Sequence, residues 1–288
     1  MRHFFTKLWL IFPLFLLVYL PSAAQIGQEH ACAKIHEIAN TTTLVVLDED
    51  SLYNSLIHYA VDSFWTLTPV KYIPRDDLPL YEGDKGYSML VRNNSIRVVH
   101  RAGRRTSSIK MNDLGLYLCD QGALENYLTR DALVAVPFRN LMDTEAYAHK
   151  LIGLVQSMQA YAAFLKEQNI SPNKFEKALK TYKTRYLKEL MYRKLLICED
   201  DLPEKLRDLK KLKKVYKFEV EIVDKARMAD AIKRQDMEVA FFHIHPRQRE
   251  YYIMDARGGR LMYAAKVIDY GELKLKDFAA LFNTIIEP

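Results

Sequence analysis

Residues 44–50 read Leu44-Val45-Val46-Leu47-Asp48-Glu49-Asp50, and residues 195–201 read Leu195-Leu196-Ile197-Cys198-Glu199-Asp200-Asp201. Each is a short apolar run that stops at three consecutive acids, as expected of a buried strand that leaves its sheet through a polar turn. The two runs lie 151 residues apart. Val70-Lys71-Tyr72-Ile73 recurs as Val220-Glu221-Ile222-Val223 at an offset of 150, and Tyr87 to Val91 recurs as Val239 to His243 at 152. A near-constant offset over three elements predicts an α/β fold of two similar mixed-sheet halves, related by internal duplication.

Working outward from the first acidic turn, Leu52, Leu56, Ile57, Ala60, Val61 and Phe64 recur at helical spacing. Tyr87 to Val91 and Ile96 to Val99 are expected to pair through a turn at Asn93-Asn94-Ser95, with Ile109 to Cys119 extending that sheet. In the second half, Tyr251 to Asp255 and Leu261 to Ala264 read as strands, the latter entered through Gly258-Gly259. Leu275, Phe278, Ala279, Phe282 and Ile285 predict a closing helix.

The middle of the chain has a different period. Tyr147, Leu151, Leu154, Met158, Tyr161 and Leu165 alternate steps of four and three, and Phe175, Leu179, Tyr182, Tyr186 and Leu190 do nearly the same. Ser171-Pro172 between them is a helix start. These features predict a long antiparallel helical hairpin that bridges the halves. The expected organisation is a leader over 1–24, an α/β half over 25–140, the hairpin over 141–193 and a second half over 194–288.

The leader is a secretory signal pattern. Arg2 and Lys7 precede the apolar run from Leu8 to Leu20, and Pro21-Ser22-Ala23-Ala24 supplies small residues for cleavage. Thirteen apolar residues are short of the ~20 that a spanning helix needs. No second apolar stretch of spanning length follows, so the mature chain is expected to be soluble and periplasmic or extracellular. Cys32, Cys119 and Cys198 are too few for a disulfide scaffold, though Cys32 could pair with either of the others.

With 42 Lys and Arg against 36 Asp and Glu, the chain has a formal net charge of +6. That excess does not name a nucleic acid, and none is expected as partner. Glycine-rich phosphate loops, G-x-S-x-G, H-E-x-x-H and C-x-x-C are all absent from the sequence, which argues against the activities those motifs serve.

Three groups remain as candidate sites. Ligands of open α/β sheets bind beyond the carboxyl ends of the strands, where Asp48, Asp50, Asp200 and Asp201 are expected. The competing role for these acids is helix capping, with Asp50 or Ser51 in the first half and Asp201, Pro203 and Glu204 in the second. His243 and His245 share one strand face and, with Glu199, would make a divalent-metal site. Arg101, Arg104 and Arg105 belong to a basic stretch that begins at Arg92 and would suit a small anionic ligand. Together these features describe an exported binding or scaffolding protein of the cell envelope or extracellular space, not an enzyme, whose partner is an envelope or extracellular protein or a small anion. The alternative is a metal-dependent hydrolase using His243, His245 and a carboxylate.

Overall fold

Thr42–Leu47 forms β1, and its side chains serve two cores at once. Val45 joins one cluster, while Leu44 and Val46 join another on the opposite face. A strand covered on both faces tolerates few polar groups: Leu44 to Leu47 are all apolar, and the buried Thr43 satisfies its hydroxyl in hydrogen bonds with Thr68 and Ser88. The computed structural model describes residues 34–99, 107–120, 132–137, 144–170, 172–245, 250–268 and 272–287.

The first sheet contains β1, β2 (Val70–Pro74), β3 (Tyr87–Val99), β4 (Ser107–Leu118) and β5 (Val134–Pro137), in the order β2-β1-β3-β4-β5. β1 runs parallel to both neighbours, and β3, β4 and β5 pair antiparallel. The second sheet contains β6 (Lys194–Cys198), β7 (Val220–Val223), β8 (Val239–His245), β9 (Glu250–Asp255) and β10 (Leu261–Lys266). Its order is β7-β6-β8-β9-β10, with the same sequence of parallel and antiparallel pairings.

The helices are α1 (Ser51–Phe64), α2 (Leu151–Gln168), α3 (Phe175–Thr184), α4 (Leu209–Val215), α5 (Lys225–Lys233) and α6 (Leu275–Ile286). Side chains of α1, α2, α3 and α5 join the largest core, which takes residues from both sheets. The outer face of the second sheet packs against α4 and α6, and that of the first against a 3-10 helix, Arg75–Tyr81. Among the described residues no helix is long and apolar enough to cross a membrane.

Three local expectations are corrected. β3 is continuous through Asn93-Asn94-Ser95, pairing with β4 from Ser88–Leu118 to Val99–Ser107. β1 accompanies β3 only as far as Leu90, so the rest of β3 runs beyond β1, where polar residues are not confined between two cores. Tyr147 lies outside α2, which starts at Leu151 after a separate 3-10 turn over Ala148–Lys150, and its hydroxyl enters a polar contact described below. The helix begun at Phe175 stops at Thr184 instead of Leu190, and Leu187–Tyr192 is a separate 3-10 helix. Phe175, Leu179 and Tyr182 belong to the inter-sheet core, whereas Leu187 and Leu190 belong to the outer core of the second sheet. One straight helix could not serve both cores.

Candidate functional site

The first acidic turn folds onto itself. The Asn54 side-chain amide donates to the Asp48 carbonyl at 2.7 Å, and the Asn54 side-chain oxygen accepts from the Asp48 N–H at 3.1 Å. The Asp50 N–H donates to the Asp48 carboxylate at 3.0 Å. Asp50 then caps α1 by accepting from the Tyr53 N–H at 3.0 Å, the role that its position before the helix suggested.

Arg92, reached by β3 just beyond the end of β1, closes the turn. Its guanidinium pairs with Asp48 at 2.5 Å and Asp50 at 3.3 Å, and donates to Thr144 Oγ1 and the Tyr147 hydroxyl, each at 2.9 Å. It also lies 4.4 Å over the Tyr53 ring, a cation–π position. Thr144 Oγ1 donates to the Asp50 carboxylate. Burial pushes the Asp50 carboxyl upward, but hydrogen bonds from Thr144, the Tyr53 N–H and Arg92 outweigh it and hold it below the ordinary range. Burial likewise works against the charge on Arg92, and Tyr147 and Asp48 more than compensate.

A cleft of about 820 Å³ opens beside this cluster, at the carboxyl ends of β1 and β2. Asp48, Glu49, Asp50 and Asp76 line it with Arg75 and Arg92. Arg75 donates to the Arg92 carbonyl at 2.7 Å, and Arg92 is held by the acids of the turn. Glu49 and Asp76 are exposed and form no ion pair among the described residues. The lining is therefore net acidic, which departs from the small anion expected as ligand.

The second acidic turn is arranged differently. Asp201 pairs with Lys150, whose side chain is 2% exposed, and Asp200 pairs with Lys225 at 3.1 Å. The Asp200 hydrogen bond to Lys225 holds its carboxyl below the usual range. The capping pattern at Asp201 is not used: the 3-10 helix Glu204–Leu206 starts from Pro203 with no side-chain cap. Glu199 is exposed at the end of β6.

The two turns are joined by the segment 144–150. Thr144 and Tyr147 contact the first turn, and Lys150 contacts the second. His149 lies between, with neither ring nitrogen hydrogen-bonded among the described residues. Burial, reinforced by Lys150 and Lys225, pushes its imidazole down to about 3.

His243 and His245 occupy alternate positions on β8, opposite Tyr252 and Glu250 of β9, and both are buried. β6 and β8 are neighbours, as a third ligand from the acidic turn would require. Among the described residues, however, no three of His, Cys, Asp or Glu stand close enough to hold a metal ion, so His243, His245 and Glu199 are not gathered into one site. Cys119 and Cys198 are buried free thiols. Arg101, Arg104, Arg105 and Cys32 lie outside the described residues.

Sequence reasoning grouped Arg92 with a basic surface and missed its place as counter-ion of the acidic turn, along with the contributions of Thr144, Tyr147 and Lys150. The weak signal was a basic residue just past the predicted strand Tyr87 to Val91. No protein-family model, curated protein or solved structure matches the chain.

Proposed function

We propose that this chain is an exported, non-catalytic binding protein of the cell envelope or extracellular space, and that its ligand occupies the cleft beyond β1 and β2. The observation that carries this reading is the cleft itself: about 820 Å³, placed at the carboxyl ends of parallel strands and walled by a rigidly bonded turn. Asp48 and Asp50 are tied up by Arg92, and Arg75 is anchored on the Arg92 carbonyl, so Glu49 and Asp76 are the carboxylates left to meet a ligand. Two carboxylates of this kind favour a small ligand bearing an ammonium or guanidinium group. The signal-like leader supports the export.

The two halves are best read as copies of one ancestral unit. Each repeats a single strand order and set of pairing senses, and each begins with an apolar strand that ends in three acids. In this reading α2 and α3 are the bridge added between the copies, and the first copy retains the open cleft.

Calorimetric titration with putrescine, arginine, succinate and glucose tests the cleft. Saturable binding is expected for the cationic probes and is expected to fall at least tenfold in Glu49→Gln/Asp76→Asn, since each charged hydrogen bond contributes about 1.5–3 kcal/mol. Binding confined to succinate, or unaltered in the double variant, would overturn the proposal.

A further inference from the structure

The outer layer of the second sheet carries a concentration of charge that the cleft does not involve. From Lys205 to Lys217 there are seven Lys and Arg and one Asp, an excess of six that equals the net charge of the whole chain. Within this stretch α4 reads Leu-Lys-Lys-Leu-Lys-Lys-Val. Leu212 is buried, and Leu209 and Val215 pack beside it in the outer core. Lys210, Lys211, Lys213 and Lys214 are exposed between them, and Lys217 follows just past the helix end.

Helix chemistry alone does not account for this arrangement. Lys213 and Lys214 suit the negative C-terminal end of α4, but Lys210 and Lys211 sit at its positive end. Lys210 and Lys214 are like charges four residues apart, a destabilising pair. Asp208 meets Lys211 at 3.6 Å while capping the helix. Lys210, Lys213, Lys214 and Lys217 have no acidic partner among the described residues. A local conflict that the fold leaves unrelieved is expected where a surface has an external partner.

We propose that this lysine face docks the protein on an anionic phospholipid bilayer. Lysine ammoniums on flexible stems match a diffuse negative plane, whereas bidentate phosphate recognition calls for arginine forks. The aromatic rings interleaved with these lysines do not form a base-stacking surface, because Tyr216 is buried and Phe218 packs against Phe282 in the outer core. Tyr192 is 81% exposed and Ile286 is 49% exposed, at the ends of two helices, Leu187–Tyr192 and α6, whose other large apolar side chains join the outer core.

The test is co-sedimentation of the chain from Gln25 onward, which contains every described residue, with vesicles of phosphatidylcholine alone or mixed with phosphatidylglycerol. Binding is expected only to the anionic vesicles and is expected to weaken as salt rises. Replacing Lys210, Lys213, Lys214 and Lys217 by Gln should weaken it about fivefold per lysine, on the order of several hundredfold together. Replacing Lys166, Lys174, Lys177 and Lys180 by Gln removes the same charge elsewhere and should have little effect. Equal losses in the two variants, equal binding to neutral vesicles, no binding to anionic vesicles, or tighter binding of a DNA duplex at matched salt would each overturn the proposal. Loss of binding at high salt in the unaltered chain reads the same electrostatics without any substitution.

Discussion

His149 shows how one side chain can set a response to pH. Unfolded, its imidazole takes up a proton near pH 6.5; folded, burial and the Lys150 and Lys225 charges delay this to about pH 3. Between those values the unfolded chain holds more protons, so stability rises with pH, by about 1.4 kcal/mol per unit. Replacing His149 by Leu removes two buried nitrogens that have no hydrogen-bond partner among the described residues, along with the titration. Urea unfolding at about pH 6 and about pH 4.5 should show a shallower acid slope in His149→Leu, with stability near neutrality altered by no more than about 1 kcal/mol. An unchanged slope would contradict this account. Asp50, whose carboxyl is held below the ordinary range, is common to both proteins, so its contribution cancels from the difference between their slopes.

At the scale of elements, the tightest constraint is the approach of the β9–β10 turn to α2. Gly259 has φ +65°, and a Cβ there would lie 2.4 Å from the Ser157 backbone nitrogen. Gly258, with φ +83°, has open space around the same position. Gly258→Ala should therefore cost only the left-handed backbone penalty, about 1–2 kcal/mol. Gly259→Ala adds a clash with helix backbone and should cost at least about 3 kcal/mol, measurable as the difference between their urea midpoints. Equal midpoints would mean that the turn is free to move off the helix. The sequence marked this glycine pair as a turn, because glycine accepts positive φ. It could not indicate which of the two touches α2. That contact depends on two segments about a hundred residues apart in the chain.

For the whole molecule, the decisive feature is that the largest core belongs to neither half alone. Val45, Leu90 and Leu116 from the first sheet share it with Leu196, Phe241 and Met254 from the second, with α2 between them. Separating the halves would expose this apolar surface, so the two sheets are expected to unfold together. Calorimetry should give a single transition with equal calorimetric and van't Hoff enthalpies. Two resolved transitions would show that each half holds its own stability. The segment 144–150 adds a polar tie between the same two units, through Arg92 and Asp50 on one side and Asp201 on the other.

The sequence by itself determined the α/β class, most of the strands, the helix after the first acidic turn and its capping by Asp50 or Ser51, of which the structure uses Asp50. Periodicity and capping are local properties, written in residues a few positions apart. It also located both acidic turns, because an apolar run ending in three acids states where a buried strand reaches water. Only the tertiary structure decided what those acids do. Arg92 closes one turn and Lys150 the other, and neither pairing follows from spacing, since 42 residues separate Asp50 from Arg92 and 51 separate Lys150 from Asp201. The break after Thr184 and the shared core were decided there too. Which face of a strand or helix meets which neighbour depends on how the sheets stack around α2, and the linear pattern records only that each face is apolar.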